Sequence, residues 1–212
     1  MIRLLLADDH QLVRDGLRQI LGSVPEIEVV AEAATGDEVL ALVRTHDFDL
    51  ALIDMSMPGL SGIQLIKRIK LERPKLRILV LSMHGEHQYA ARALKAGASG
   101  YLTKDSASGQ LVGAIRKVAS GGLHITEAAA ASLMADTGKG DAPAHTQLSD
   151  REFEIFRMLA AGHGPTEIAG RLRLSVKTVS THKTRILEKM HLGSGAELVR
   201  YALEHGLLDQ NP

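Results

Sequence analysis

Short apolar runs alternate with longer amphipathic stretches along the first 120 residues. The apolar runs are mostly rich in Val, Ile and Leu and cover residues 2–7, 28–32, 50–53, 76–81 and 99–102. Between them, the spacing of apolar side chains predicts helices over 10–22, 36–45, 61–72, 86–96 and 108–120. Strands separated by helices of this length form right-handed βαβ units, so the pattern predicts a parallel sheet. The run 50–53 is apolar throughout, as expected for a strand buried on both faces.

The pattern changes after residue 126. Residues 127–135 are rich in alanine and predict a further helix, whereas 137–143 combine glycine, proline and polar residues as linkers do. From residue 149 to about 205 the pattern is helical and no run indicates a strand. We therefore expect an α/β domain over residues 1–122, a linker helix and flexible linker over 123–147, and a small all-α domain over 148–212.

Composition narrows the class of protein. The chain has no cysteine, which excludes a disulfide framework and thiolate metal sites. Its apolar runs are far shorter than the roughly 20 residues that a membrane helix needs. Asp8 and Asp9 end the first apolar stretch after Ala7, which does not fit a signal peptide. We therefore expect a cytoplasmic protein with no membrane partner.

One short segment is strongly basic in a chain of zero net charge. Residues 171–189 hold six Lys or Arg residues and one Glu, a net charge of +5, whereas the whole chain has 25 basic and 25 acidic residues. Such a segment indicates a local anionic partner, with a solvated helix face as the alternative.

Polar side chains follow several of the predicted strands. Asp8 and Asp9 come after the first strand, Asp54 after the third, Ser82 after the fourth and Lys104 shortly after the fifth. Because ligands of an open parallel sheet bind at the carboxyl ends of its strands, we expect these side chains to converge. Three neighbouring carboxylates raise one another's pKa, and a hard divalent cation such as Mg²⁺ relieves that conflict. A carboxylate beside Mg²⁺ can accept a phosphoryl group, with a lysine neutralising its oxygens. Helix capping is the alternative for the first two aspartates.

These residues resemble the receiver domain of two-component response regulators. The resemblance spans residues 1 to about 122, and four separated elements carry it in the same order: Asp8-Asp9, Asp54-Met-Ser-Met-Pro-Gly-Leu-Ser-Gly62, Ser82, and Tyr101-Leu-Thr-Lys104. It implies a flavodoxin-like, doubly wound α/β fold whose five parallel strands have the order 2-1-3-4-5.

The resemblance also implies roles for these residues. A sensor histidine kinase would phosphorylate Asp54, and Lys104 would contact the phosphoryl group. Ser82 and Tyr101 would form the conformational switch, although a partly buried tyrosine at the sheet edge is an equal alternative for Tyr101. The cofactor would be Mg²⁺, and its ligands would be Asp8, Asp9, Asp54 and the backbone carbonyl of Ser56.

The basic segment carries a helix-turn-helix pattern. The sequence predicts a short helix over 166–172, a turn over 173–175 and a longer helix over 176–190 with Ser175 as its N-cap. One side of the longer helix is apolar and consists of Val176, Val179, Ile186, Leu187 and Met190. The opposite side carries Lys177, Thr181, Thr184 and Arg185. An apolar back with a basic and hydroxylated front suits the major groove of DNA.

Residues 148–208 resemble the four-helix LuxR-type DNA-binding domain. The resemblance rests on Leu148-Ser-Asp-Arg-Glu152, Glu167-Ile-Ala169, Leu172, Leu174-Ser-Val-Lys-Thr-Val-Ser-Thr-His182, Ile186, Lys189 and Glu197-Leu198. Pro165, Thr166 and Gly195 depart from the pattern of this family, and proline is tolerated at a first helical position. With a receiver in front, the chain resembles the NarL/FixJ class of response regulators.

This resemblance implies a phosphorylation-controlled, DNA-binding transcription regulator. It would not be an enzyme, beyond gaining and slowly losing its own phosphoryl group. Its expected partners are a sensor histidine kinase, double-stranded DNA with an inverted repeat and a second copy of the chain when phosphorylated; RNA polymerase is a further candidate. We expect base contacts from Lys177, Ser180, Thr181 and Thr184, phosphate contacts from His182, Arg185 and Lys189, and a further DNA contact from Thr178. Leu198, Tyr201 and Ala202 are candidates for the contact between two DNA-binding domains.

Other classes of protein stay open. An aspartyl-phosphate hydrolase would need a second aspartate two residues after its nucleophile, where this chain has Ser56. A ligand-gated LuxR-type regulator would lack the acidic pocket and would have a sensor domain richer in aromatic residues than the 3% found here. His84 and His87 are a weak candidate for a metal site, because their turn supplies no third ligand.

Overall fold

The chain divides into two units, residues 1–133 and 134–212. A computed structural model describes residues 1–60, 62–82, 87–126, 129–130 and 143–208. The predicted helix over 127–135, the predicted linker over 137–143 and His84 therefore lie outside the described residues, apart from positions 129, 130 and 143. Among the described helices, none combines the length and the apolar character that a membrane crossing requires.

The first unit is built on a five-stranded parallel sheet in the order β2-β1-β3-β4-β5. Its strands are β1 (Ile2–Ala7), β2 (Ile27–Ala33), β3 (Leu50–Asp54), β4 (Arg77–Ser82) and β5 (Gly100–Thr103). The register pairs Asp54 with Leu81 and Ser82 with Thr103, so the strands end at one edge of the sheet. The predicted parallel α/β fold is confirmed, together with the strand order that the resemblance implied.

Helices cover this sheet. They are α1 (Gln11–Gly22), α2 (Gly36–Thr45), α3 (Gly62–Glu72), α4 (His87–Lys95) and α5 (Lys104–Ala119). Leu21 of α1 and Ile115 of α5 pack in one buried cluster with leucines of β1, β3, β4 and β5. Leu50 to Ile53 are completely buried, as the unbroken apolar run predicted. Helix α5 begins four residues before the predicted start at 108, because its first turn carries no large apolar residue that periodic spacing could reveal.

The described part of the second unit is helical. A 3₁₀ turn (Ala144–Gln147) precedes α6 (Asp150–Ala160), α7 (Pro165–Leu172), α8 (Val176–Lys189) and α9 (Gly195–Glu204). Serine side chains cap the N-termini of α6, α8 and α9, and Pro165 occupies the first position of α7, as expected. The completely buried core includes Phe153, Phe156, Ile168 and Ile186. The predicted four-helix domain is confirmed.

Candidate functional site

Three carboxylates and one ammonium group meet at the carboxyl edge of the sheet. Asp8 and Asp54 are 0% and 1% exposed, respectively. Lys104 is the first residue of α5, and its Nζ lies 2.6 Å from Oδ2 of Asp8 and 3.2 Å from Oδ1 of Asp54. Asp9 is the more accessible of the three acids. The structure therefore brings together four of the five residues that the strand ends predicted, because β1 and β3 are neighbours and Lys104, directly after β5, reaches both of their aspartates.

This cluster holds three carboxylates and only one cationic side chain among the residues described above. Burial raises the pKa of Asp54 to about 6; the positive charge of Lys104 opposes this shift, and the negative charge of Asp8 adds to it. For Lys104, burial works to lower the pKa, but the close contact with Asp8 and the charge of Asp54 outweigh burial and raise it. Lys104 is therefore a fixed cation, and most molecules carry an ionised Asp54 at pH 7. An ionised carboxylate is the form that can act as a nucleophile.

The cluster has the donor atoms that a hard divalent cation requires. Ligand atoms of Asp8, Asp9, His10 and Asp54 lie within 4.8 Å of one another. Both oxygens of Asp54 are buried and neither accepts a hydrogen bond of good geometry, so the contact with Lys104 is an ion pair alone. A buried carboxylate oxygen without a donor is unfavourable, and a bound cation would satisfy it. The residues present therefore fit Mg²⁺.

Sequence reasoning missed His10. Its ring Nδ1 lies 2.8 Å from Oδ1 of Asp9, and its backbone N–H donates to Oδ1 of Asp8 over 2.8 Å. The backbone hydrogen bond holds the Asp8 side chain in the turn that follows β1. The signal available in the sequence was the position of His10 directly after the two aspartates.

The other residues predicted for this site lie around the cluster. Ser82 is completely buried at the last position of β4. Tyr101 lies in β5, is 4% exposed, and donates its backbone N–H to the His124 carbonyl over 2.9 Å. Tyr101 is therefore almost fully buried, whereas the alternative prediction was a partly buried tyrosine at the sheet edge. Ser56 lies in the turn after β3 with an exposed side chain.

A second candidate surface lies on α8. Its N-terminus is capped by Ser175, whose Oγ accepts the backbone N–H of Thr178 over 3.0 Å. Val179 and Ile186 are completely buried on the inner face. Val176 is 45% exposed, so its predicted place in the apolar stripe is wrong: it occupies the first position of the helix, before the turn that packs against the core. Of the residues predicted to contact DNA, six are exposed: Lys177, Ser180, Thr181, Thr184, Arg185 and Lys189.

Two exposed threonines on this face donate their hydroxyl hydrogen bonds to backbone carbonyls of the same helix. The hydroxyl of Thr181 donates to the backbone carbonyl of Lys177 over 2.9 Å, and that of Thr184 donates to the carbonyl of Ser180 over 3.2 Å. Each hydroxyl oxygen therefore presents lone pairs, and not its proton, to a ligand in front of the helix. Thr178 is partly buried, and its hydroxyl lies 2.8 Å from the Oγ of Ser175.

Lys189 has a partner inside the second unit. Its Nζ lies 2.6 Å from Oε2 of Glu152, which also accepts the backbone N–H and the hydroxyl of Ser149 over 2.8 Å each. Burial works to raise the pKa of Glu152, but the hydrogen bonds from Lys189 and Ser149 outweigh it and hold that pKa below its usual value. The ion pair joins the end of α8 to the start of α6. A phosphate contact by Lys189 stays a prediction.

His182 is a partly buried member of the predicted contact residues. Its Nδ1 is buried without a hydrogen-bond partner, and burial is the main reason that its pKa is lowered. Both observations favour the neutral ring.

Two residues predicted to join a pair of DNA-binding domains face the core instead. Leu198 and Ala202 are 1% and 0% exposed, so the prediction that they contact a second domain is wrong. They are buried because α9 packs this side against α6. Tyr201 is partly buried, and its hydroxyl lies 2.8 Å from Nδ1 of the buried His145. Leu203, on the same helix, is 59% exposed.

Comparison with known proteins assigns a family to each unit. Residues 4–116 match the response regulator receiver domain, and residues 146–202 match the bacterial regulatory proteins of the luxR family. The response regulator UvrY of Escherichia coli K12 is 38% identical over 210 residues, which cover 98% of this chain and 96% of UvrY. The oxygen regulatory protein NreC of Staphylococcus carnosus is 40% identical over 217 residues, which cover 98% of this chain and all of NreC.

A solved structure is similar to this chain over nearly its whole length. RcsB from Salmonella enterica serovar Typhimurium, bound to promoter P1flhDC in the presence of the phosphomimetic BeF₃⁻, has a TM-score of 0.70 to this chain. The two are 29% identical, and the match covers 94% of this chain and 97% of RcsB.

Proposed function

The chain belongs to the two-component response regulators that join a receiver domain to a LuxR-type DNA-binding domain, and we propose that a phosphoryl group on Asp54 controls its binding to promoter DNA. The observation that carries this proposal is the carboxylate of Asp54, which is buried, lacks hydrogen bonds and lies 3.2 Å from Lys104. The protein would act by binding DNA and not by turning over an external substrate.

The acidic cluster supports the transfer of a phosphoryl group to Asp54. An oxygen of Asp54 attacks the phosphorus of a kinase phosphohistidine, the bond between phosphorus and nitrogen breaks, and the imidazole leaves with a proton from solvent. Lys104 neutralises charge on the transferred group. Mg²⁺, held by Asp8, Asp9, Asp54 and the Ser56 carbonyl, would supply further charge stabilisation at the phosphoryl oxygens.

The phosphoacceptor can be tested with a small phosphodonor such as acetyl phosphate. In the presence of Mg²⁺, intact-mass analysis of the full chain should show one added phosphoryl group. The Asp54→Ala variant should gain none, and a matched Asp47→Ala variant should react as the parent does, because Asp47 lies at the surface on the amino-end side of β3. Equal uptake by Asp54→Ala would refute the assignment.

The exposed face of α8 supports the recognition of DNA. This helix has 14 residues, about 21 Å at 1.5 Å per residue, which is enough to lie in one major groove. Lys177, Ser180, Thr181 and Thr184 would face base edges near the N-terminal half of the helix, and Arg185 would contact phosphate. The threonine oxygens present acceptors, which match the amino groups of cytosine and adenine in the major groove.

Contacts to bases and contacts to phosphates can be distinguished by DNA-binding titrations at several salt concentrations. Each titration uses a specific and a scrambled duplex. Thr181→Ala should reduce discrimination between the two duplexes by about 1–3 kcal/mol. Arg185→Ala should weaken binding to both duplexes alike and lower the salt slope by about one unit. Loss of discrimination in Arg185→Ala, with none in Thr181→Ala, would show that the reading face is assigned wrongly.

Phosphorylation would control DNA binding through the switch residues. The new group carries a charge of roughly −1.5 to −2 and strong acceptor oxygens, which would draw the hydroxyl of Ser82 towards it. The change would favour a dimer that binds an inverted repeat. We expect BeF₃⁻ to raise both the dimer fraction in analytical ultracentrifugation and the affinity for promoter DNA. Identical values with and without BeF₃⁻ would contradict this coupling.

A further inference from the structure

The N-terminus of α2 lies directly against the backbone of the loop that follows Asp54. A Cβ atom placed on Gly36 would lie 1.6 Å from the carbonyl oxygen and 2.8 Å from the carbonyl carbon of Leu60. Real Cβ atoms do not approach other heavy atoms closer than 3.0 Å, so any side chain at position 36 must separate the two backbones. The contact joins atoms of the main chain, which no change of rotamer can relieve.

Local hydrogen bonds and buried side chains hold helix α2 in its place at this contact. The side chain of its N-cap residue Thr35 accepts the backbone N–H of Glu38 over 3.2 Å, and the carboxylate of Glu38 accepts the backbone N–H of Ala34 over 2.8 Å. These two hydrogen bonds fix the geometry of the first turn. Val39 and Val43 are completely buried and hold the rest of the helix against the core.

The loop over residues 55–60 is therefore the part that would move. Its first residue follows Asp54, which is fixed at the end of the central strand β3 by its pairing with β4. Met55 and Met57 are buried, and Ser56 between them is exposed. Because Asp54 is fixed, a shift of Leu60 by more than about 1 Å has to be taken up by the five residues between them, and Ser56 is one of these.

We propose that Gly36 is a positioning residue for the phosphorylation site: by carrying no side chain, it sets the course of the loop that brings the Ser56 carbonyl to the divalent cation. This inference rests on the proposed function of the acidic cluster. Gly36 touches neither the cation nor the phosphoryl group, and it acts through the backbone of Leu60. A substitution at position 36 that leaves the domain folded should therefore weaken cation binding.

The test measures cation binding directly, with Mn²⁺ as the probe and the electron paramagnetic resonance signal of free Mn²⁺ as the readout. Full-length Gly36→Ala should bind Mn²⁺ about tenfold or more weakly than the parent, the effect typical of residues that support metal ligands. It should also need a correspondingly higher Mg²⁺ concentration for half-maximal phosphorylation by acetyl phosphate. Gly113→Ala is the matched control in the same unit, because a Cβ there meets no atom within 4 Å; it should bind Mn²⁺ as the parent does.

A folded Gly36→Ala variant with the Mn²⁺ affinity of the parent would overturn the inference. Should that variant fail to fold, amide exchange of the parent decides: Mg²⁺ with BeF₃⁻ should slow exchange in peptides covering 34–40 as well as 55–60. Protection confined to 55–60 would overturn the role of Gly36. Absence of Mn²⁺ binding by the parent itself would instead refute the proposed cation site, and the inference with it.

Discussion

Replacement of Asp54 by asparagine should stabilise the receiver domain in the absence of a divalent cation. The pKa of Asp54 is about 6, against an ordinary value of 3.8. At 1.36 kcal/mol for each pH unit between the two values, the ionised carboxylate lowers the free energy of unfolding by about 3 kcal/mol. Burial is the main cause of this penalty, and the asparagine side chain has nearly the same volume as that of aspartate without the charge. Lys104 would keep Asp8 as its partner.

The sign follows from protonation. An acid whose pKa is raised in the folded state destabilises the fold above that pKa, so the penalty is complete above about pH 6 and absent below about pH 4. In chelator, Asp54→Asn should therefore be more stable than the parent by about 1–3 kcal/mol at pH 8 and equal to it at the lowest accessible pH. Mg²⁺ should narrow the difference, because it binds and stabilises the parent.

Pulsed hydrogen exchange across a urea series, read in peptides from β1 and β3, reports the receiver separately from the helical domain. Asp47→Asn is the control: this aspartate is 90% exposed, and its replacement should change stability by less than about 0.5 kcal/mol. If Asp54→Asn is no more stable than the parent at pH 8 in chelator, or its advantage does not decline with falling pH, the account of Asp54 as a destabilised buried carboxylate is wrong.

Three further predictions concern the DNA-binding domain. Lys189→Met should lower the free energy of unfolding of this domain by about 1–2 kcal/mol, because Glu152 loses its ion pair. In urea titrations this destabilisation should become smaller as the pH falls through the lowered pKa of Glu152. A destabilisation that does not depend on pH would contradict the role of the ion pair. Tyr201→Phe should cost about 1 kcal/mol by removing the hydrogen bond to His145, and unchanged thermal unfolding would contradict that. Arg173→Gly should raise the free energy of unfolding by up to about 1 kcal/mol, because Arg173 has a φ of +52°, which favours glycine. Urea unfolding measures this change, and a lower midpoint would show that the arginine side chain stabilises the domain by more than the backbone strain costs.

The sequence by itself determined the elements and their order. The strands are visible as short apolar runs and the helices as a repeat of 3.6 residues, and the strand ends then placed Asp54 and Lys104 at one edge of the sheet. The same local reasoning found the cap of α8 at Ser175. These features depend on residues close together in the chain, or on the single rule that parallel strands end at one edge.

Tertiary structure decided the features that join distant segments. Lys189 binds Glu152 37 positions away, and the backbone of Leu60 meets Gly36 across 24 positions. Leu198 has an apolar character that suits a dimer contact or a core equally well, and only the packing of α9 on α6 placed it in the core. Such contacts depend on the rotation of each helix about its axis and on the distance between helices. The spacing of residues along one helix does not determine either quantity.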